Sequence, residues 1–209
     1  MTIFVTGIGT DVGKTVAAAI ITEALKADYW KPIQAGDLNN SDTHKVKRLV
    51  SNAQSQFFDN AHALQTPMSP HAAAEIDQVK IQLNQINRPN TTNHLVIEGA
   101  GGILVPVNNT ENVIDLANEK DHIVVVSRHY LGSINHTLLT LEYLKSKGFK
   151  HIHLLFNGDE NPSTESIILK RFPLNVIGRI NNEPEITPEV IQFYARTFGE
   201  NLHQLKSLS

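Results

Sequence analysis

The sequence contains no cysteine among its 209 residues. This absence excludes disulfide bonds, cysteine-ligated zinc or iron–sulfur sites, and a cysteine nucleophile. It is compatible with a reducing cytoplasm, where we expect the protein to act. The chain also lacks a strong charge of either sign. Its formal net charge is −3, so we expect neither nucleic acid nor an anionic membrane as a partner.

Long apolar segments are also missing from the chain. No run approaches 18 apolar residues, so we expect no membrane-spanning segment. The start, MTIFVTG, has no basic stretch followed by an apolar one, so we expect no signal peptide. Apolar residues make up 41% of the chain and charged residues 19%, as in ordinary globular proteins. At this length we expect one domain over residues 1–209.

Short apolar segments alternate with helical patterns along the chain. The patterns TIFVT, YWKPIQ, HLVIEG, HIVVVS, HIHLLFN and LNVIGR predict strands. The patterns KTVAAAIITEALKA, DTHKVKRLVSN, INHTLLTLEYLKSKG, STESIILKRF and TPEVIQFYARTFG predict helices, and VKIQLNQIN is a further helix candidate. We therefore expect an α/β layered domain, with a mostly parallel sheet flanked by helices on both faces.

Three helix ends carry local signals. Ser133 is a plausible N-cap for the helix that starts near INHTLL, and Gly148 is placed to terminate that helix. Thr187 followed by Pro188 predicts the N-cap and first residue of the last helix. Between these elements, QTPMSPHAAA is rich in turn residues and carries two prolines.

A glycine-rich segment, TGIGTDVGKT, lies between the first predicted strand and the first predicted helix. Its backbone N–H groups and the helix N-terminus predict a phosphate-binding loop. Lys14 would reach the β- and γ-phosphates, and the Thr15 hydroxyl would ligate Mg²⁺. The loop has five residues between Gly7 and Gly13, one more than the usual spacing. A dinucleotide-binding loop fits poorly, because the glycine spacing differs and the lysine suits a triphosphate better.

Three further residues are candidates for the same site. Glu98 follows a buried strand and precedes small residues, which suits a carboxylate that binds Mg²⁺ directly or through water. Asp42 starts a predicted helix, where an acid more often serves as an N-cap or as an acid of the first turn. Lys31 ends the second predicted strand and either points toward the phosphates or is solvated.

Taken together, the motifs resemble those of the dethiobiotin synthase family. The resemblance is carried by GIGTDVGKT, the KP of WKPIQAG, the SD of NNSDTHKV, TPMSPHAAA, VIEGAGG and LGSINHTLLT, in family order from residue 6 to about 140. It implies an ATP-dependent carbon–nitrogen cyclo-ligase of biotin biosynthesis. In such enzymes 7,8-diaminopelargonate and CO₂ form a carbamate, which attacks the γ-phosphate of ATP. The second amine then closes the ureido ring of dethiobiotin and expels phosphate.

The resemblance implies a role for each matching residue. Lys14 and Lys31 are the expected catalytic residues, with Lys31 holding the carbamate. Thr15, Asp42 and Glu98 are the expected Mg²⁺ ligands. ATP is expected to contact Gly9, Thr10, Asp11, Val12, Gly13, Lys14, Thr15, Val16, Asp42, Glu98, Gly99, Gly101, Gly102 and Asn157. Of these, Asn157 is expected to contact the adenine. The segment 178–185 resembles a loop that closes over the base.

The resemblance also implies a homodimer with its sites near the subunit interface. The far carboxylate of the substrate is expected to be read partly by Ser133, Ile134 and Asn135 of the partner chain, at a helix N-terminus. Together with Lys31 and Ala35, these are the expected substrate-binding residues. Ala35 departs from the family pattern, which often has serine there. The loss of one hydroxyl removes one hydrogen bond, worth about 1 kcal/mol.

Other ATPases of the same superfamily remain alternatives. Partition-type ATPases usually carry an additional lysine early in the loop, where this chain has Ile8. Amide synthases of this group are joined to a glutaminase with a cysteine nucleophile, and this sequence has no cysteine. GTPase switches require an N-K-x-D motif, and FNGD lacks its lysine. We therefore favour the ligase over these other P-loop NTPases.

Overall fold

A computed structural model of the protein describes residues 1–205. The strands in this range are β1 (Thr2–Gly7), β2 (Asp28–Trp30), β3 (Ile33–Ala35), β4 (Phe57–Phe58), β5 (His62–Leu64), β6 (Leu95–Gly102), β7 (His122–Arg128), β8 (Ile152–Asn157) and β9 (Asn175–Ile180). The α-helices are α1 (Lys14–Leu25), α2 (Asp42–Leu49), α3 (Pro70–Ile76), α4 (Ser133–Ser146), α5 (Pro162–Arg171) and α6 (Pro188–Gln204).

Seven strands form one sheet in the order β4-β2-β6-β1-β7-β8-β9, and every pair in it is parallel. β3 and β5 form a separate two-stranded parallel pair. The helices pack in two groups, α1 with α2 and α6, and α4 with α5. The central strands β1 and β7 are buried along almost their whole length, as expected when both faces of a sheet are covered. The predicted α/β fold is therefore confirmed.

The order of the strands in the sheet determines where a ligand-binding crevice lies. β1 is central, and its neighbours β6 and β7 both come later in the chain. In parallel sheets of this kind, ligands bind beyond the carboxyl ends of the strands, where the strand order reverses. The segment after β1 lies at that edge. β6 pairs with β1 from Thr2–Leu95 to Val5–Glu98, and the register then shifts before Gly7 meets Gly102.

The predicted strand YWKPIQ was wrong in its extent. The strand is interrupted at Lys31 and Pro32, so that β2 belongs to the large sheet and β3 to the small one. Proline has no N–H to give to a ladder and restricts the residue before it, which accounts for the break. The consequence is functional, because Lys31 leaves the sheet at its carboxyl edge.

The predicted helix over VKIQLNQIN was also wrong. Only a single 3-10 turn forms there, at Leu83–Gln85. Ile81 is buried, but most of the segment is exposed or half-exposed, and it combines β-branched residues with asparagines, which are weak helix formers. The turn-rich segment QTPMSPHAAA, in contrast, contains a short helix, α3, with Pro70 in its first turn.

The predictions for helix ends were partly correct. Thr187 caps α6, since its side chain accepts a hydrogen bond from the Val190 N–H, and Pro188 follows as predicted. Gly148 has a φ of +86° just after α4, which suits the glycine that ends a helix. The N-cap of α4 is Gly132, however, and Ser133 is its first helical residue.

Candidate active site

The segment between β1 and α1 folds into a phosphate-binding loop. Gly13 has a φ of +96° and turns the backbone into the first residue of α1, Lys14. The Lys14 side chain folds back over the loop, and its Nζ donates a hydrogen bond to the Gly9 carbonyl oxygen at 2.8 Å. The free N–H groups of the first helical turn face the same edge. The loop therefore presents backbone donors and one lysine to an anion.

Lys14 is largely buried, with 8% of its surface exposed. Burial lowers the pKa of its ammonium group, and the nearby positive charge of Lys31 lowers it further, although Glu98, Asp42 and Asp11 oppose both effects. A lysine with such a lowered pKa gains from any anion that enters the cavity, because the anion compensates for lost hydration.

Glu98 is the centre of a buried hydrogen-bond cluster, and only 1% of its surface is exposed. Its Oε1 accepts hydrogen bonds from the Thr15 hydroxyl at 2.9 Å and from Lys31 Nζ at 3.1 Å. Its Oε2 accepts a hydrogen bond from the Tyr29 hydroxyl at 2.8 Å. The cluster joins α1, β2 and β6 at one point.

Lys31 also contacts the other predicted carboxylate. Its Nζ donates to Asp42 Oδ2, so that one ammonium group bridges Asp42 and Glu98. Burial acts to lower the pKa of Lys31, but the two carboxylates outweigh it and raise the pKa. Burial likewise acts to raise the pKa of Asp42, but the charges of Lys31 and Lys45 outweigh it and lower the pKa. Lys31 and Asp42 are therefore both charged at neutral pH.

Asp42 is held by α2 in the position that the sequence indicated, but it is not the cap. The N-cap is Ser41, whose hydroxyl accepts a hydrogen bond from the His44 N–H. Asp42 is the first helical residue, and its N–H donates to Gln34 Oε1 at 3.2 Å. The carboxylate is thereby free to face the cavity. Asp42 is therefore an acid in the first turn of α2, and the serine before it is the cap.

A cavity of about 620 Å³ opens in front of this cluster. Its size suits a ligand pocket. Most of the predicted site residues line it, namely Thr10, Asp11, Gly13, Lys14, Thr15, Val16, Lys31, Ala35, Asp42, Glu98 and Gly101. The structure thus brings together residues from the loop after β1, the break between β2 and β3, the start of α2, and β6.

Several predicted residues lie elsewhere. Gly9 and Gly102 border a neighbouring cavity, with Leu104, His136 and Leu139. Gly99 packs inside the fold, because a Cβ there would lie 3.0 Å from Val113 and 3.3 Å from the Phe4 ring. Ser133, Ile134 and Asn135 border a separate cavity at the start of α4. Val12 and Asn157 contact each other through a hydrogen bond at 2.8 Å.

The motif TPMSPH forms another wall of the main cavity, a role that its sequence did not indicate. Residues 67–70 line the cavity, and Met68 is 53% exposed. Gly36 lies against this wall with a φ of +71°, and a Cβ there would lie 2.4 Å from Pro67 Cβ. Glycine is therefore required at position 36 for the wall to approach β3.

Sequence reasoning also missed Gln34, Lys45 and Tyr29. Gln34 is buried beside Ala35, and its amide donates to the Gly36 carbonyl oxygen while accepting from the Asp42 N–H. Lys45 lies 3.3 Å from Asp42 Oδ1 and 3.0 Å from Asp37 Oδ2. The spacing of Asp42 and Lys45 on a helix was a detectable signal. Tyr29 gave none, because its partner Glu98 is distant in sequence. Gln34 gave none, because its contacts with Gly36 and Asp42 depend on how the chain turns after β3.

Residues 1–205 contain neither a membrane-spanning helix nor a ready-made cluster of metal ligands. No helix in that range is long and apolar enough to cross a membrane. No group of three or more histidine, aspartate or glutamate side chains in it is arranged to hold a metal ion by itself.

The chain is similar to known proteins over almost its whole length. A family model described as an AAA domain matches residues 1–190. The ATP-dependent dethiobiotin synthetase BioD of Christiangramia forsetii is 59% identical over 202 residues, which cover 97% of this chain and 98% of that protein. The protein of the same name from Cytophaga hutchinsonii is 45% identical, covering 96% and 98%.

Solved structures share the fold at low sequence identity. A putative plasmid partition protein of Borrelia burgdorferi, bound to AMPPNP, matches with a TM-score of 0.57 and 11% identity, covering 99% of this chain and 98% of that one. The MinC:MinD cell division complex of Aquifex aeolicus matches with a TM-score of 0.55 and 13% identity, covering 100% and 96%. These likenesses concern the fold alone.

Proposed function

This chain belongs to the ATP-dependent dethiobiotin synthetase family, and we propose that its ligase chemistry takes place in the cavity around Lys14, Lys31, Asp42 and Glu98. The substrates are 7,8-diaminopelargonate, CO₂ and ATP, and the products are dethiobiotin, ADP and phosphate. One amine and CO₂ form a carbamate with loss of a proton. A carbamate oxygen bonds to the γ-phosphorus as ADP leaves, and the second amine then attacks the carbamoyl carbon as phosphate leaves.

The observation that carries this proposal is a second buried lysine beside the phosphate-binding loop. A protein that only hydrolyses ATP needs one lysine in the loop for the phosphates. This cavity presents Lys14 from the loop and Lys31 from the break after β2. Two anions, the triphosphate and the carbamate, must approach each other for the reaction, and their repulsion requires cations between them.

Each lysine has a distinct role in the proposed reaction. Lys14 holds the phosphates, together with the backbone N–H groups of the loop, and stabilises the charge that develops on the transferred phosphoryl group. Lys31 orients the carbamate for in-line attack. Both groups act in a site shielded from water, where charges interact more strongly than in bulk solvent.

Thr15, Asp42 and Glu98 would hold Mg²⁺ in this site. The donor set fits, because it consists of one hydroxyl and two carboxylates that converge on the same region, and magnesium prefers oxygen ligands. Two carboxylates are too few to hold the ion alone, so phosphate oxygens of ATP complete its coordination. When bound, the metal neutralises charge on the phosphates.

The adenine would lie near the ends of β8 and β9. Asn157 stands at the end of β8 beside Gly13. The loop after β9 is anchored by Tyr194, whose hydroxyl accepts a hydrogen bond from the Asn181 N–H at 3.0 Å and donates to Glu183. An anchored loop beside Asn157 supports the assignment of residues 178–185 to the base.

A homodimer accounts for Ser133, Ile134 and Asn135, which lie outside the main cavity. Exposed apolar residues gather around the start of α4 and the neighbouring cavity. This α4 surface consists of Leu104, Tyr130, Leu131, Ile134 and Leu139. Leu131 is fully exposed, and such patches commonly mark interfaces. The N-terminus of α4 would then reach the substrate carboxylate in the partner's cavity.

The test is phosphate release by the purified full-length protein. Release should require both the diamine and bicarbonate, and mass spectrometry should detect dethiobiotin. Equal release without the diamine would overturn the proposal in favour of a simple ATPase. In keeping with this activity we assign the protein to the cytoplasm and treat residues 1–209 as one functional domain.

A further inference from the structure

The ammonium group of Lys31 lies between the two carboxylates assigned to magnesium. We propose that Lys31 and the divalent metal are alternative cations for Asp42 and Glu98, and that arrival of the metal with ATP releases Lys31 toward the carbamate. This inference rests on the proposed function, because it takes these two carboxylates as metal ligands. It adds an order of events and a conformational change to that function.

The contacts place the lysine on the oxygens that a metal would need. Glu98 Oε1 accepts from Thr15 Oγ1 at 2.9 Å and from Lys31 Nζ at 3.1 Å. The other oxygen of Glu98 is taken by the Tyr29 hydroxyl at 2.8 Å. Glu98 Oε1 is the oxygen that meets Thr15, so a metal held by Thr15 and Glu98 together would compete with Lys31 for this oxygen.

Burial explains why one cation or the other must be present. Glu98 is 1% exposed and Lys31 is 5% exposed, so neither charge is screened by water. A buried carboxylate without a compensating cation is strongly unfavourable. Two cations packed against the same oxygen would repel each other at close range. The arrangement therefore favours exchange of one cation for the other over simultaneous binding.

ATP shifts this exchange toward the metal. The protein offers the metal only one hydroxyl and two carboxylates, whereas ATP adds phosphate oxygens, which magnesium uses readily. Metal alone thus competes poorly with Lys31, and metal with ATP competes well. Once displaced, the ammonium group loses its carboxylate partners and requires a new anion. The carbamate, which must lie beside the γ-phosphate, is the anion that the reaction supplies.

Lys45 offers a matched comparison. It also contacts Asp42, through Oδ1 at 3.3 Å, but its other partner is Asp37. It is 35% exposed, so its charge is partly screened by water. Removing Lys45 should therefore leave Glu98 Oε1 occupied by Lys31 and the metal affinity nearly unchanged.

The experiment measures Mn²⁺ binding to the full chain by electron paramagnetic resonance, with and without AMPPNP. The variants are Lys31→Met, which keeps the stem and removes the charge, Lys31→Arg, which keeps the charge, and Lys45→Met. Without nucleotide, Lys31→Met should bind Mn²⁺ about tenfold or more tightly than the wild type, because two buried carboxylates lose their cation. Lys31→Arg and Lys45→Met should stay within about threefold of the wild type.

Thermal unfolding is a second measurement, and it remains informative if Lys31→Met is less stable than the wild type. Millimolar Mn²⁺ should raise the midpoint of its thermal unfolding without nucleotide more than it raises that of the wild type. If wild type with AMPPNP binds one Mn²⁺ but Lys31→Met gains neither affinity nor metal-dependent stability, the exchange is overturned and the metal site stands. If wild type with AMPPNP binds no Mn²⁺, the metal site itself is overturned and the exchange with it.

Discussion

Asn157, at the end of β8, donates a hydrogen bond from Nδ2 to the Val12 carbonyl oxygen at 2.8 Å, although 145 residues separate them in the chain. The same amide group lies over Gly13, where a Cβ would come within 2.3 Å of Nδ2. The shape of the phosphate-binding loop therefore depends on a strand two places away in the sheet, and not on the local glycines alone.

The first prediction concerns Gly13→Ala. The residue has a φ of +96°, which disfavours alanine, and the added Cβ would displace Asn157. We expect a loss of roughly 1–3 kcal/mol in the free energy of unfolding, measured by urea titration, together with weaker ATP binding.

Gly199→Ala is the matched control for that substitution. Gly199 lies in α6, and a Cβ there has no neighbour within 4 Å. Alanine should stabilise the helix by about 0.5–1 kcal/mol. A Gly13→Ala protein as stable as the wild type would mean that the loop does not depend on this conformation.

The second prediction concerns the two lysines of the cavity. Lys14→Ala and Lys31→Ala should each lower kcat/KM for dethiobiotin formation by about 10²–10³-fold, because each removes a cation from a site shielded from water. Circular dichroism at the assay temperature separates this loss of activity from a loss of folding. Wild-type turnover in Lys31→Ala would remove Lys31 from the proposed site.

The third prediction concerns acid stability and the buried His122–His153 pair. Nδ1 of His122 lies 3.1 Å from Nε2 of His153, and the His122 ring stacks against the rings of both His151 and His153. Burial lowers the pKa of His122 and that of His153 to about 4, and neighbouring histidines add to the effect. The rings are therefore neutral in the folded protein, whereas in the unfolded chain they protonate near pH 6.5.

Protonation between pH 6.5 and 4 therefore favours the unfolded state, and stability should fall as the pH falls through this window. The pair should contribute a loss of roughly 3–6 kcal/mol by pH 4, the lower figure applying if only one of the two rings is protonated, measured by urea titration at several pH values. His153→Leu should weaken this pH dependence, and His203→Leu, at an exposed position of α6, should not. A wild-type stability that is constant from pH 6.5 to 4 would contradict the prediction.

The fourth prediction concerns the loop after β9. Tyr194→Phe removes the hydroxyl that binds Asn181 and Glu183. The loop should lose order, and KM for ATP should rise about fivefold, equivalent to about 1 kcal/mol, with little change in kcat. Tyr143→Phe on α4 is the control. A rise in KM for the diamine alone would place this loop at the other substrate.

The fifth prediction concerns the α4 surface. Wild type should sediment as a dimer at micromolar concentration. Leu131→Glu should shift it toward monomer, because a charge would enter the proposed apolar contact. Phe193→Glu, which alters an exposed apolar residue of α6, should not. A wild-type monomer would count against a site shared between subunits.

Much of the fold could be predicted from local patterns. The strands β1, β6, β7, β8 and β9 and all the long helices follow from apolar periodicity and helix-end residues, because these signals act over a few residues. The wrong predictions lie where the sequence pattern was weak or where distant parts of the chain decided the structure. VKIQLNQIN was too exposed to form a helix, and YWKPIQ was divided by a proline between two sheets.

The candidate site shows the same division. Lys14 and Thr15 were evident from the loop, since their chemistry depends on immediate neighbours. Glu98 was proposed from its place at the end of a buried strand, whereas Asp42 was proposed as a metal ligand only because the motifs together resemble one family. That Lys31 bridges them could not be predicted, because the contact joins three segments that meet only at the edge of the sheet.

The sequence by itself determined the class of the protein. The phosphate-binding loop specified a nucleoside triphosphate, because its donors and charges are local, and the resemblance of the combined motifs to one family implied an ATP-dependent ligase. Only the tertiary structure decided which oxygen of Glu98 meets Lys31, which strand supports Gly13, and which residues stay outside the main cavity. Those relationships depend on the order of strands in the sheet, and that order is a product of packing.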